Sequence, residues 1–374
     1  MGCSILHALA CRGLKNSLLL ESEILSFGST GKSQGILRMH YSNELTSRMA
    51  WESLKVFKFF DQLVGGDPGY VPAGYLLIAG QDDRGAMEEN VAMQQKIGIS
   101  TDMISTDQAR DIAPVFSVED EEVCAYESES GYADPYLVTH AYATAAKDLG
   151  AEIRVSTPVE KIELRKGRVS GVSTPSGTIS TPAVVVAAGP WSRPFLESVG
   201  VALPIELVRH QVIIFRRPGH HILTHPVLGD VTNSFSARPE VGDVTLVAFG
   251  EEERVTPESN LQGVDQPVVE DVSAKLAKRM PGMEEAIFRG GWSGLFTTTP
   301  DWHPILDAVP GIDGLYVAVG FSGHGFKLSP MIGIAMAEMV LEKDAKSIDV
   351  SALGLNRFRD GTTFRSRYRM NVLA

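Results

Sequence analysis

The sequence predicts an α/β fold in which two kinds of sheet are interleaved along the chain, and three stretches carry that prediction. Residues 314–333, GLYVAVGFSGHGFKLSPMIG, read as a buried strand over 315–319, a glycine turn and a helix beginning near Phe326. Residues 1–21 begin with an apolar pattern, Ile5, Leu6, Leu9 and Leu14 at roughly helical spacing. A stop at Arg12-Gly13 and a strand over 17–20 ending at Glu21 follow. Residues 203–297 are β-rich. Together they describe a Rossmann-like nucleotide-binding region, its first strand missing, interleaved with an antiparallel-sheet region.

The N-terminal stretch is the back half of a βαβ unit. In such units a strand feeds G-x-G-x-x-G, a helix follows, and an acid about 20 positions on takes the ribose hydroxyls. Gly2 can only be the last of those glycines, and Glu21 sits where the acid belongs. The absent first strand lies mid-sheet, and its loss would leave backbone groups unpaired on both neighbours. The expectation is therefore a start upstream of Met1, or a fragment; with Met1 as the true start, folding or nucleotide binding would be weak. Leu6 stands where a myristoylation signal needs Ser or Thr, and no basic region precedes the apolar residues as in a signal peptide.

After a loop over 22–41, a helix is predicted over 44–64 with Trp51, Leu54, Phe57, Phe60 and Leu63 as its core face. The run Gly65-Gly66-Asp67-Pro68-Gly69 ends it. A strand over 74–79, a helix over 83–97 and a capped short helix at 106–110, stopped at Pro114, form a second region. Asp134-Pro135 starts a helix that runs to Leu149-Gly150. Strands over 152–155 and 159–164, a hairpin over 169–180 turning at Pro175-Ser176-Gly177, and a buried strand over 183–188 come next. Strands are then expected at 208–215, 231–236 and 244–250, with a helix over 268–280. Segments 1–70, 131–203 and 298–374 are assigned to the nucleotide-binding domain, and 71–130 and 204–297 to the second domain. The tail from Arg359 is polar and expected to be peripheral.

With 374 residues, 44% hydrophobic and 21% charged, the chain can bury a large core. A net charge of −12 argues against nucleic acid or an anionic membrane as main partner, since both reward a basic face. No run of about 18 apolar residues predicts a membrane span. Cys3, Cys11 and Cys124 have no zinc or redox spacing, which fits a reducing compartment, and the cytoplasm is expected. His220, His221 and His225 lie between prolines without an acidic or cysteine ligand, so a solvated loop is expected there and no metal. His210 and Gln211 are candidates to face a pocket.

Two segments carry the chemistry. Gly320, Gly323 and Gly325 let backbone approach a ligand, and the helix after them aims free N–H groups and a positive dipole end at an anion, beside Ser322, His324 and Lys327. The loop Ser29-Thr30-Gly31-Lys32-Ser33-Gln34 offers hydroxyls, glycines and a lysine to phosphate oxygens, although such loops are also commonly just solvated. On pattern alone, Lys327 also fits a snorkelling lysine and His324 a capping imidazole. Ala188-Gly189-Pro190-Trp191 equally fits a plain strand-to-helix turn with a packed Trp.

These runs, with Ile36-Leu37-Arg38-Met39-His40-Tyr41, resemble the FAD-dependent amine oxidoreductases of the D-amino acid oxidase superfamily, in the sarcosine oxidase, glycine oxidase and proline dehydrogenase β-subunit branch. The resemblance runs from Met1 to about Phe358. It implies an FAD-dependent enzyme that oxidises the C–N bond of a small amino acid or secondary amine by hydride transfer to flavin N5. It places Arg38 and Lys327 on the substrate carboxylate, Tyr41 in the pocket and His324 beside the flavin. Cofactor contacts fall on Gly2, Glu21, Ser29, Thr30, Ser33, Gln34, Val159, Ala188, Gly189, Trp191, Gly320, Ser322, Gly323, Gly325 and Phe326. Some relatives tether FAD through a cysteine where this chain has Gly294, so non-covalent FAD is expected. Oxygen-using relatives carry a lysine on a roof strand that residues 244–249 lack, which favours a dehydrogenase passing electrons to a quinone, a flavoprotein or a partner subunit over O2. A flavoprotein-like assembly or binding factor with little catalysis is the alternative, and a nicotinamide-only dehydrogenase a third reading.

Overall fold

The computed structural model describes residues 1–219, 222, 224–249, 253–256 and 262–368. His220, His221 and Gly250 lie outside the described residues. The chain forms one large mixed sheet and several small ones. Parallel pairing joins Leu18–Leu20 to Glu152–Arg154, and Val184–Val186 to Leu315–Val319, whose other edge takes Ile305–Ala308 antiparallel. The strands Lys161–Arg165, Arg168–Thr174 and Gly177–Ser180 form an antiparallel meander.

The nine-stranded sheet draws on both segments expected for the second region. It runs from Glu253–Val255 through Glu206–Arg216, Val244–Phe249, Phe235–Glu240, Val227–Asp230, Tyr75–Ala79 and Val123–Glu127 to Thr101–Ile104. Its ninth strand, Ile287–Thr298, pairs with Glu206–Arg216. All its pairings are antiparallel except Val227–Asp230 on Tyr75–Ala79. One apolar face is covered by the helix Gln266–Arg279, with Val269, Val272 and Leu276 buried.

The other main core lies between the first helix, Gly2–Cys11, the helix Glu44–Lys58 and the helix Gly325–Glu342, termed the site helix. The first helix is buried from Cys3 to Ala10, so it is covered on all sides, with the polar Ser4 and His7 buried among its apolar residues. Gly333 allows the two helices to touch: a Cβ there would lie 2.2 Å from the Ser4 hydroxyl oxygen, which donates to the Ser329 carbonyl at 2.7 Å. Among the described residues no helix is long and apolar enough to cross a membrane.

Several expectations are corrected. The helix predicted over 44–64 breaks at Phe59 and resumes as Phe60–Leu63. The break turns Phe57 and Phe60 inward and sends Leu63 outward, where it is 57% exposed; Trp51 is only half-buried. The strand expected over 231–236 straddles a turn. Asp230 accepts from the Asn233 amide at 2.9 Å and Ser234 adopts a positive φ of 59°, which separates two strands. In the strand expected to be buried over 183–188, only Val186 of Val184–Val186 is buried. Of the tail, 369–374 lie outside the described residues; most of 359–368 is exposed as expected, but Tyr368 is buried, at 4% exposed.

Candidate functional site

The strand Leu315–Val319 is buried throughout and delivers the chain to a turn that needs glycine. Gly320 has φ +71° and a Cβ there would lie 2.5 Å from Thr299 Cγ2; Gly323 has φ +82° and a Cβ would lie 2.7 Å from the Phe296 ring. Ser322 stitches the turn to the neighbouring strand. Its N–H donates to the Thr297 carbonyl at 2.9 Å, and its hydroxyl accepts from the Thr299 N–H at 3.3 Å. The site helix then starts at Gly325 with no acidic residue in its first turn, so its positive end is left open to an anion.

Arg38, Tyr41, His324 and Lys327 come together at this point. The Arg38 guanidinium lies over the Tyr41 ring, 4.4 Å from its centroid, and donates to the His40 carbonyl. The Tyr41 ring meets the His324 ring edge-on at 5.1 Å, and both side chains are fully buried. Lys327 and Arg38 line one gap with Leu37, Met39, Ala50, Leu54 and Phe57. Among the described residues the Lys327 ammonium has no ion pair. Burial, and then the nearby Arg38 charge, push its pKa well below the ordinary lysine value. Burial pushes Tyr41 up to about 12, against the pull of Arg38. Its hydroxyl has no hydrogen-bond partner among the described residues.

Residues that sequence reasoning missed hold this group. Glu127 accepts from the Met39 N–H at 2.9 Å and from the Ser130 hydroxyl at 2.5 Å. His40, held down to about 3 by burial and by Arg38, has its Nε2 2.6 Å from the Tyr368 hydroxyl. His303 stands 6.3 Å from His324, centroid to centroid. Its Nδ1 contacts the Asp301 carbonyl at 2.8 Å and its Nε2 the Asn43 amide nitrogen at 2.7 Å. Because Asn43 Oδ1 already accepts from the Thr46 N–H as helix cap, the amide nitrogen faces Nε2. His303 is then the Nδ1–H tautomer, donating to Asp301. The Pro300-Asp301-Trp302-His303 run was the one local signal for it.

The expected cofactor residues divide. Gly2 packs on Leu19 at the head of the first helix, and Glu21 follows the strand Leu18–Leu20 with its carboxylate accepting from the Ser22 hydroxyl and the Glu23 N–H. Val159 is half-buried just ahead of the strand Lys161–Arg165, two residues later than expected. Ala188 and Gly189 are half-buried at the end of Val184–Val186; Gly189 has φ +53° and open space where a Cβ would point. Trp191 is 43% exposed and reaches over Gly28. Thr30 and Ser33 sit on a single 3-10 turn, Ser29–Lys32 and its cap.

Three of the expected cofactor residues have side chains engaged within the fold. The Ser29 hydroxyl donates to the Leu295 carbonyl at 2.7 Å. Gln34 bridges the Leu246 carbonyl at 3.1 Å and the Ser236 hydroxyl at 3.0 Å, tying the loop to the large sheet. The Phe326 ring turns into the core, 5.5 Å from Phe57. His225 is buried, not solvated: its ring meets the Pro226 carbonyl and the Thr245 hydroxyl, and burial holds it down to about 4. His210 stacks on Phe296 at 4.2 Å, next to Gly323, whereas Gln211 reaches away to Asp265. Among the described residues no cluster of three His, Cys, Asp or Glu side chains could hold a metal.

The residues present fit a dinucleotide. Glu21, the open Gly189, the exposed Trp191 and the glycine turn at 320–325 lie at strand ends and helix starts, and Ile24 and Phe27 beside them are 62% and 52% exposed without an apolar cover. The family profile of FAD-dependent oxidoreductases, DAO, matches residues 1–339, and the chain belongs to that family. FAD is the cofactor that this family implies.

Among curated proteins, 4-methylaminobutanoate oxidase (formaldehyde-forming) of Paenarthrobacter nicotinovorans is 26% identical over 96% of this chain and 44% of its own length. Human mitochondrial sarcosine dehydrogenase is 26% identical over 98% and 41%. The chain spans less than half the length of those two relatives. Among solved structures, L-proline dehydrogenase from P. horikoshii superposes with a TM-score of 0.90 at 25% identity, covering 97% of this chain and 96% of that one. Glycine oxidase from Geobacillus kaustophilus shares the fold with a TM-score of 0.83 at 23% identity, covering 95% of each chain.

Proposed function

We propose that the chain oxidises the C–N bond of a small amino acid or secondary amine of the sarcosine, glycine or proline type. The observation that carries this is the buried Lys327 ammonium, without an ion pair among the described residues, in one gap with Arg38 and beside Tyr41 and His324. A buried lysine with no ion pair among the described residues gains the partner its charged form lacks when an anion binds beside it. A carboxylate is the anion that suits a planar guanidinium and an ammonium together, through charge-assisted hydrogen bonds. Arg38 and Lys327 are proposed to hold it, Tyr41 to close the pocket with its neutral hydroxyl, and His324 to pack the adjoining wall.

Bound FAD supplies the two-electron acceptor for the hydride of the carbon bearing the amine; the imine product is then open to hydrolysis by water. The chain's own contribution is positioning and exclusion of water around two cations. The relatives named above carry printed activities on 4-methylaminobutanoate, sarcosine, proline and glycine, which supports a carboxylate-bearing amine. Non-covalent FAD is proposed because Gly294 offers no side chain and the Lys32 stem covers it, with Lys32 Cβ 3.1 Å from where a Cβ would be. The strand Val244–Phe249, without a lysine, favours transfer of electrons to a quinone, a flavoprotein or a partner subunit over O2. The cytoplasm is the proposed compartment. The FAD-binding domain is taken as 1–70, 131–203 and 298–374, with 71–130 and 204–297 as the substrate domain.

Visible absorption before and after anaerobic addition of sarcosine, glycine and proline tests the reading. A flavin band that bleaches with one of them is the expected result. A flavin band that none of them bleaches points to the assembly or binding reading.

A further inference from the structure

We propose that the C-terminal segment 357–368 is a positioning strap for the substrate clamp, with Tyr368 as its positioning residue acting through His40 on Arg38. The inference rests on the reading of Arg38 and Lys327 as a carboxylate clamp. The segment is tied down at Arg357, Phe364, Arg367 and Tyr368, and each tie leads to the site or to a neighbour of it.

The root of the strap is Arg357, buried in a two-pronged pair with Asp301 at 2.8 and 3.0 Å and donating to the His303 carbonyl at 2.8 Å. Seven residues on, the Phe364 ring stacks on His303 at 4.4 Å and 21°, and its N–H donates to Asp301 at 3.3 Å. The strap therefore fixes the plane of the histidine that faces His324. The Arg367 N–H then donates to the Ser42 hydroxyl at 3.0 Å, directly after the clamp segment, and its guanidinium to Asn90 at 2.8 Å. Tyr368 ends the described strap among Tyr75, Leu77, Met87 and Val91.

The last contact explains how the strap reaches Arg38. The Tyr368 hydroxyl lies 2.6 Å from His40 Nε2, and His40 Nδ1 lies 3.8 Å from Glu127. With Tyr368 donating to Nε2, the ring proton sits on Nδ1 and faces the Glu127 carboxyl. His40 thereby acquires one orientation, and its own carbonyl is the group on which the Arg38 guanidinium rests. Without the hydroxyl, Nε2 is a buried acceptor with no donor, and a shift of His40 that relieves this displaces the backbone carbonyl under Arg38. A clamp displaced by a fraction of an ångström holds its carboxylate less well.

The test uses the full chain loaded with FAD, with acetate as a carboxylate probe read by flavin absorption and His40 followed by ring 15N chemical shifts. Tyr368→Phe is expected to weaken acetate binding roughly tenfold, the size of a lost buried hydrogen bond, while FAD affinity stays within about twofold. The His40 Nε2 shift should move with it. Phe364→Ala should weaken acetate binding less, and a chain ended after residue 363 more. A Tyr368→Phe protein that melts lower but keeps wild-type acetate affinity and an unchanged His40 shift would overturn the proposal. Wild-type flavin that no amine reduces would overturn the oxidation reading instead, and the His40 shift would still decide whether the strap orients the ring.

Discussion

Arg279 and Lys327 are buried to a similar degree, and their surroundings treat their charges in opposite ways. Arg279, at the end of the helix covering the large sheet, meets Glu122 at 2.5 Å and Asp230 at 2.6 Å and donates to the Ser117 carbonyl. Burial works against its charge, but those two carboxylates outweigh it and raise its pKa. Lys327, at the head of the site helix, has burial and Arg38 both acting to lower its pKa. One cation holds the fold together, and the other is proposed to meet an incoming anion. The contrast between a buried cation with carboxylate partners and a buried lysine without an ion pair among the described residues is what supports the proposed site.

Substitution at both positions should separate the two roles most widely. Arg279→Met leaves Glu122 and Asp230 buried without their cation and is expected to cost about 3–5 kcal/mol of stability, read by chemical denaturation. Lys327→Met should leave stability unchanged or raise it slightly, while kcat/KM for a carboxylate-bearing amine falls about a hundredfold. Equal stability losses at the two positions would break the comparison. Gly323→Ala, forced into positive φ against the Phe296 ring, should cost about 1–3 kcal/mol and show as weaker FAD retention.

A pH titration sharpens the account of Lys327. Its lowered pKa means that the ammonium loses its proton early as pH rises; a bound carboxylate restores the charge and raises the pKa. Binding therefore takes up a proton between the two values, and acetate affinity should fall as pH rises through that window. Calorimetry in buffers of different ionisation enthalpy reads the uptake directly. The smallest effect is expected at Asn43→Ala, about 1 kcal/mol from the lost cap of Glu44–Lys58, with a change in the His303 ring resonances.

The parts of the site that were legible in the sequence are those where the backbone itself is constrained. The strand at 315–319, the positive-φ glycines at 320 and 323 and the helix after them announce themselves locally. Arg38 and Tyr41 were legible only through resemblance, since nothing in their spacing says that they would meet a histidine nearly 300 residues away. Where the Gln34 and Phe326 side chains point was not legible, because segment placement does not fix it; one ties its loop to the large sheet and the other packs on Phe57. Glu127, His303 and Tyr368 were missed altogether. Each looks ordinary in its own segment and acquires meaning only from contacts across the fold, and the long strand Ile287–Thr298 escaped because its Gly290-Gly291 pair breaks the alternation expected of a strand.

Lys327, with Arg38, is proposed to select amines that carry a carboxylate. The most direct measurement is the anaerobic rate of flavin reduction by proline and by pyrrolidine, the same ring without the carboxylate, in the wild type and in Lys327→Met. The account predicts a strong wild-type preference for the carboxylate-bearing amine that collapses in the variant. Equal reduction of the two amines by the wild type, or a preference undiminished by Lys327→Met, would contradict it.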